Sequence, residues 1–174
     1  LEDRNREPFP FDPSRIDSVL LTHAHLDHVG RLPKLVADGF RGRALAAPGT
    51  REIAEVILRD AAKIAAEGDE RALRKARRAG REDEVAPPPY DEADVDRAVE
   101  AIDTVGYGEP VAIAGVRVRL RSAGHVVGSA WIELEDDHGT VAFSGDLGNR
   151  ESLLHPTAEP VAGARAVVCE GTYG

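Results

Sequence analysis

Three imidazoles and one carboxylate fall within six residues in the run Thr22-His23-Ala24-His25-Leu26-Asp27-His28-Val29-Gly30. Neutral imidazole nitrogen and carboxylate oxygen are both good ligands for a divalent borderline ion such as zinc. Val19-Leu20-Leu21 directly precedes the run and reads as the end of a strand. Alternate side chains of a strand share a face, so His23 and His25 can converge on one ion. A turn into a helix at Asp27 would aim Asp27 and His28 at a second ion. One short loop can therefore begin a two-metal site, the kind that clamps both the attacking and the leaving oxygen of a displacement. A lone surface histidine is ordinarily just solvated, but here half of the six histidines crowd one window.

Three later segments repeat one arrangement, an apolar strand followed by a ligand-capable residue. They are Ala123-Gly124-His125-Val126-Val127-Gly128-Ser129-Ala130, Phe143-Ser144-Gly145-Asp146-Leu147-Gly148 and Cys169-Glu170-Gly171-Thr172-Tyr173-Gly174. Glycines beside His125 and Asp146 permit tight turns and close backbone approach. His125 can complete a three-imidazole set with His23 and His25, and the two oxygens of Asp146 can bridge both ions. A Gly-Asp pair alone is a plain turn; the weight comes from its combination with the first run.

The elements that must position these residues follow from local pattern. Residues 1–15, with Pro8, Pro10 and Pro13, read as an extended surface loop. Residues 18–22 read as a buried strand, and a helix is expected from about Asp27 to Asp38, stopped by Gly39. Residues 43–47 form a short strand. Thr50 is the expected N-cap of a helix carrying Ile53, Val56, Ile57 and Ile64, with Gly68 as a point of interruption. Arg71 to Arg81 carry a basic run, expected as a solvated helix face balanced by nearby acids. Pro87-Pro88-Pro89 breaks any helix, and Asp91 can cap another that carries Val95, Val99 and Ile102. Val116 to Arg121 alternates strictly, a strand with one buried face. Ala130 to Glu135 and Thr140 to Ser144 read as a hairpin through Asp137-His138-Gly139, and Ala166 to Cys169 as a last strand. Strands thus bracket a helical insertion of about residues 50–104, an α/β layered domain.

The chain has 174 residues, of which 42% are hydrophobic, enough for one globular domain with its own core. No run approaches the length of a membrane span, and no signal-peptide pattern is visible, so the cytoplasm is the expected compartment. The single cysteine, Cys169, excludes an internal disulfide, and its place after Ala166-Val167-Val168 predicts a buried, inert thiol. A net charge of −9 disfavours indiscriminate binding to polyanions but suits a carboxylate-built metal site. There is no methionine, which points to a segment of a longer protein.

The four segments together resemble the metallo-β-lactamase superfamily, and within it the β-CASP nucleases that process RNA. The resemblance rests on Thr22 to Pro33, Gly124 to Ala130, Phe143 to Gly148 and Glu170 to Gly174, and it extends over residues 16–174. It implies a partial αβ/βα sandwich with a β-CASP domain beyond residue 174. It implies two zinc ions, one held by His23, His25 and His125, the other by Asp27 and His28, with Asp146 bridging. It implies catalytic roles for Asp27, Asp146 and Glu170. Glu170 matches an acidic residue expected to orient a metal-binding histidine through a hydrogen bond, although Gly171 stands where relatives usually carry serine. A further zinc ligand and the general acid for the leaving oxygen are expected from histidines beyond Gly174, which leaves the chain as given weakly active. His138 and His155 are expected to be solvated surface. The implied substrate is RNA; no membrane partner is expected, and a homo-oligomer is left open. A small-molecule hydrolase of the glyoxalase II or lactonase type shares the metal set without needing the insertion. An inactive metal-binding scaffold would be expected to have lost ligand residues.

Overall fold

Strict alternation in Val116-Arg117-Val118-Arg119-Leu120-Arg121-Ser122 does what a two-faced strand requires: Val118, Leu120 and Ser122 are buried while the arginines point away. Opposite them, Glu133 and Glu135 of the neighbouring strand form a ladder, with Arg119 Nη1 at 2.6 Å from Glu133 and 2.9 Å from Glu135. The computed structural model describes residues 5–86, 88–148 and 152–172. Leu1 to Arg4 of the opening loop, Pro87 of the triple proline, and Tyr173 and Gly174 of the closing motif lie outside the described residues.

Among the described residues, eight strands form two sheets. β1 (Ser18–Leu20), β2 (Arg43–Ala46) and β3 (Ile102–Thr104) make a parallel sheet in the order β1-β2-β3. β4 (Val111–Ile113), β5 (Val116–Ser122), β6 (Ala130–Asp136), β7 (Gly139–Phe143) and β8 (Ala166–Val168) make the second in sequence order. Its pairs are antiparallel except β7 with β8, which run parallel. Among the described residues, the helices α1 (Leu26–Val29), α2 (Leu32–Ala37), α3 (Thr50–Arg78) and α4 (Glu92–Glu100) cover the outer face of the first sheet. Val19 packs into the helix-side core, while Leu20 packs with Ala47, Val118, Leu120, Ala130 and Ile132 between the sheets. The period of two thus assigns each side of the first sheet to a different core, giving the helix–sheet–sheet layering of a partial metallo-β-lactamase-like α/β fold.

Several local expectations are corrected. The helix expected over 27–38 is split into α1 and α2, because Pro33 has no N–H to bond the carbonyl of Val29. The N-cap of α3 is Gly49, in the left-handed region at φ 93°, and not Thr50. Thr50 lies inside the helix, buried, and its Oγ1 donates to the Gly128 carbonyl at 2.7 Å. Gly68 does not interrupt α3, which runs 29 residues. Its first half is anchored through Ala54, Leu58 and Ala62 at a spacing of four, and Asp69 further along pairs with Arg6. Glu52 in its first turn and Lys75, Arg77 and Arg78 in its last complement the helix dipole. Arg71, Arg74, Lys75, Arg77 and Arg78 are exposed, as expected of a solvated face.

α4 is closed by a capping box between Asp91 and Asp94. Ile102, expected on that helix, instead opens β3, so the 50–104 stretch is not all helix and supplies a strand to the parallel sheet. Residues 18–20 are half-buried rather than buried. Cys169 is exposed, against the expected buried thiol. Among the described residues β8 before it pairs only with β7, at the sheet edge, and Ala166, Val167 and Val168 are exposed too. An apolar run signals a strand, but burial depends on what is packed against it. Among the described residues no helix is long and apolar enough to cross a membrane.

Candidate metal centre

The donors expected from sequence lie in the segments that follow β1, β5, β7 and β8. The Leu21 N–H donates to the Leu45 carbonyl at 2.9 Å and carries the parallel pairing to the edge of the site. The Ala130 N–H donates to the Thr22 carbonyl at 2.7 Å, tying the same loop to the second sheet. His23 is therefore fully buried, and His25 stays extended (φ −61°, ψ 146°) as the N-cap of α1. Asp27 and His28 fall in the single turn of α1.

His125 sits in the β5–β6 loop. Ser129, itself buried, accepts hydrogen bonds at its Oγ from the N–H groups of His125 (2.9 Å) and Val126 (3.1 Å). Ser129 belongs to the second sequence run, but its role was not legible there; a serine four residues after a histidine is the signal that could have found it.

Asp146 follows β7 in a turn that two glycines make possible. Gly145 has φ 55°, and a Cβ there would meet Thr22 Cβ at 2.6 Å. A Cβ on Gly148 would lie 1.7 Å from the Gly124 carbonyl oxygen. Gly148→Ala is accordingly expected to push the Asp146 and His125 loops apart and cost about 1–3 kcal/mol, as overpacking does. The shift of the urea midpoint measures it, and an unchanged midpoint would contradict this packing.

These loops bring four donors together. His23 Nε2 lies 3.0 Å from His25 Nδ1, and His125 Nε2 lies 3.3 Å from the same atom. Asp146 Oδ2 is 3.6 Å from His23 Nε2 and 3.7 Å from His125 Nε2. One ligand atom from each of the four residues lies within 4.8 Å of every other. A tetrahedral ion with zinc–nitrogen bonds of about 2.0–2.1 Å spaces its donors about 3.3 Å apart. Four of the six separations among the three imidazole nitrogens and the carboxylate oxygen are 3.0–3.7 Å, close to that spacing, and all lie within 4.8 Å.

The remaining residues gather on the other side of the aspartate. His28 Nε2 is 3.3 Å from Asp146 Oδ1 and 3.6 Å from Asp27 Oδ2. Asp27 is open, its side chain 80% exposed. Asp146 thus turns one oxygen to each histidine group. His138 is exposed in the β6–β7 turn, and His155 Nδ1 lies 3.2 Å from the Pro156 carbonyl; neither joins the cluster.

Glu170 reaches the site through the Asp146 turn. Its Oε1 accepts from the N–H of Leu147, the residue after Asp146, and its carboxylate also bonds the Thr172 side chain. No hydrogen bond to a histidine ring accompanies these among the described residues. Its own N–H donates to Ser144 Oγ at 2.9 Å, so both ends of Glu170 brace the Asp146 turn. The Leu147 amide and then Thr172 hold its pKa below the usual carboxylate value. Burial, aided by the nearby His28, lowers the His23 pKa to about 4. At neutral pH His23 is therefore unprotonated, the form a metal requires.

A fold of two sheets with helices on one face, and a His-rich centre at the strand ends, defines a class. The chain belongs to the metallo-β-lactamase superfamily, whose family model matches residues 2–165. It is 39% identical over 175 residues to Ribonuclease TTHA0252 of Thermus thermophilus, covering 99% of this chain and 36% of that protein. It is 33% identical over 181 residues to the transcription termination factor FttA of Methanothermobacter thermautotrophicus, covering 99% and 26%. It is 30% identical over 166 residues to the endoribonuclease ysh1 of Schizosaccharomyces pombe, covering 94% and 20%. Two of these relatives are named as ribonucleases, as the sequence motifs led one to expect, and the chain spans between 20% and 36% of the length of these three. A solved Cronobacter sakazakii metallo-β-lactamase with a HARLDQ motif superposes at TM-score 0.46 and 22% identity, over 80% of this chain and 44% of that one.

Proposed function

We propose that this chain carries the metal centre of a zinc-dependent hydrolase that cleaves RNA phosphodiester bonds, in the cytoplasm. One observation carries the reading: Asp146 divides its two oxygens between the His23–His25–His125 group and the His28–Asp27 pair. That division suits two ions sharing one carboxylate. His23, His25, His125 and Asp146 would hold the first zinc, and Asp27, His28 and Asp146 the second. Bound there, zinc supplies Lewis acidity, lowering the pKa of water and drawing charge off a phosphoryl oxygen.

The protein groups do the rest. Asp27 is the exposed carboxylate of the centre, placed to accept the hydrogen of an arriving water and aim its oxygen at phosphorus. Asp146 fixes the spacing of the two histidine groups. Glu170 acts at one remove, holding the Leu147 amide and with it the direction of Asp146. The relatives named as ribonucleases favour RNA as the substrate.

The test is cleavage of single-stranded RNA by the protein containing this domain, with thioester and lactone substrates assayed in parallel. RNA cleavage abolished by a chelator and restored by zinc is the expected outcome. Turnover of a thioester or lactone with no attack on RNA would replace this reading by that of a small-molecule hydrolase. Zinc bound in full with no turnover of any substrate would leave a metal-binding scaffold.

A further inference from the structure

Thr22 takes no part in the ligand set, yet three sides of it touch the centre. Its carbonyl accepts from Ala130 N–H at 2.7 Å, which ties the His23 loop to β6. Its side chain fills the space a Cβ on Gly145 would need, 2.6 Å from Thr22 Cβ, so it sets how closely the Asp146 turn approaches. Its Oγ1 lies 3.1 Å from Nδ1 of His23.

The last contact has a chemical consequence. A neutral imidazole carries one proton, on Nδ1 or on Nε2, and the bond made by one nitrogen decides the state of the other. His23 aims Nε2 at the cluster, 3.0 Å from His25 Nδ1 and 3.6 Å from Asp146 Oδ2. A proton on Nε2 would occupy the lone pair a cation needs. A proton on Nδ1 leaves that lone pair free and makes a donor, and Thr22 Oγ1 is the acceptor within reach. His23 is fully buried, so water does not substitute for that acceptor.

We propose that Thr22 is a positioning residue: its hydroxyl oxygen accepts the Nδ1–H of His23 and so fixes the tautomer that presents Nε2 to the metal. This rests on the reading of His23 as a zinc ligand. It also separates two jobs of one side chain. The hydroxyl sets the proton, and the methyl and Cβ set the gap to Gly145.

Two substitutions divide those jobs. Thr22→Val keeps the shape and removes the acceptor; Thr22→Ser keeps the hydroxyl and removes the methyl. Zinc affinity is read by competition with a chromophoric chelator, and the tautomer of His23 by nitrogen-15 NMR of the metal-free wild-type chain. The expected result is an Nδ1–H tautomer at His23. Thr22→Val should weaken zinc binding by about 10–100-fold, the range seen when partners of ligating histidines are removed. Thr22→Ser should bind close to wild type.

An Nε2–H tautomer in the wild type would overturn the proposal. So would undiminished zinc affinity in Thr22→Val, or Thr22→Ser as weak as Thr22→Val, which would make packing the cause. If Thr22→Val does not fold, the wild-type tautomer and the Thr22→Ser affinity still decide the matter. A wild-type chain that binds no zinc would remove the metal-centre reading, while the tautomer measurement would continue to test Thr22.

Discussion

Asp146→Asn is expected to strip most of the zinc from the domain and to lower RNA cleavage by the protein containing it by at least about 100-fold. The bound is conservative, since removing a partner that merely orients a ligand already costs about 10–100-fold. The substitution preserves volume but exchanges one carboxylate oxygen for an NH₂ group and removes the negative charge. One side of the residue faces His23 and His125, the other His28, at 3.3–3.7 Å. Whichever way the amide settles, one histidine group meets a donor where it had an acceptor. The other group keeps an acceptor but loses the negative charge, so one change weakens both. Metal content by elemental analysis and cleavage of a labelled RNA measure the two halves of this expectation. Full zinc and full activity in the Asp146→Asn protein would show that the two histidine groups do not share this carboxylate.

Acid should destabilise the metal-free chain through His23. Its pKa is about 4 in the folded chain against 6.5 for the free side chain, first because it is buried and next because His28 stands beside it. Between these values the unfolded chain binds the proton and the folded one does not, so stability rises with pH across that window. The contribution is fully present above about pH 6.5, declines as pH falls, and is gone below about 4. A shift of this size corresponds to about 3 kcal/mol. Urea unfolding in the presence of chelator, at several pH values across the window, measures the slope. In His23→Gln the slope should flatten, because nothing at that position then titrates. Parallel slopes for wild type and variant would assign the acid sensitivity elsewhere.

Glu170 shows why a residue can be found by pattern while its action is not. Its position after a short apolar strand was legible, and the resemblance implied a bond to a histidine ring. The fold runs β8 parallel to β7, which sets Glu170 beside the Asp146 turn, where its carboxylate accepts from the Leu147 amide. Register between strands separated by more than twenty residues is a property of packing, which no local run of residues encodes. Cys169 misled for a related reason: hydrophobicity marked a strand, while exposure followed from its place at the sheet edge.

What the sequence determined by itself is the chemistry of the donors and much of their local geometry. His23, His25, Asp27 and His28 lie so close together that a strand end followed by a helical turn fixes their directions within a few residues. The alternation of β5, the hairpin of β6 and β7, and the cap at Asp91 were equally local and equally readable. Only the tertiary structure decided which donors meet. His25 and His125 are a hundred residues apart in the chain, yet their ring nitrogens lie 3.3 Å from each other. That approach depends on Gly145 and Gly148 letting neighbouring loops close on Thr22 and Gly124, and it also fixes which oxygen of Asp146 faces which ring. Short-range preferences act through dihedral angles and periodicity, whereas the meeting of distant loops is settled by the packing of two sheets.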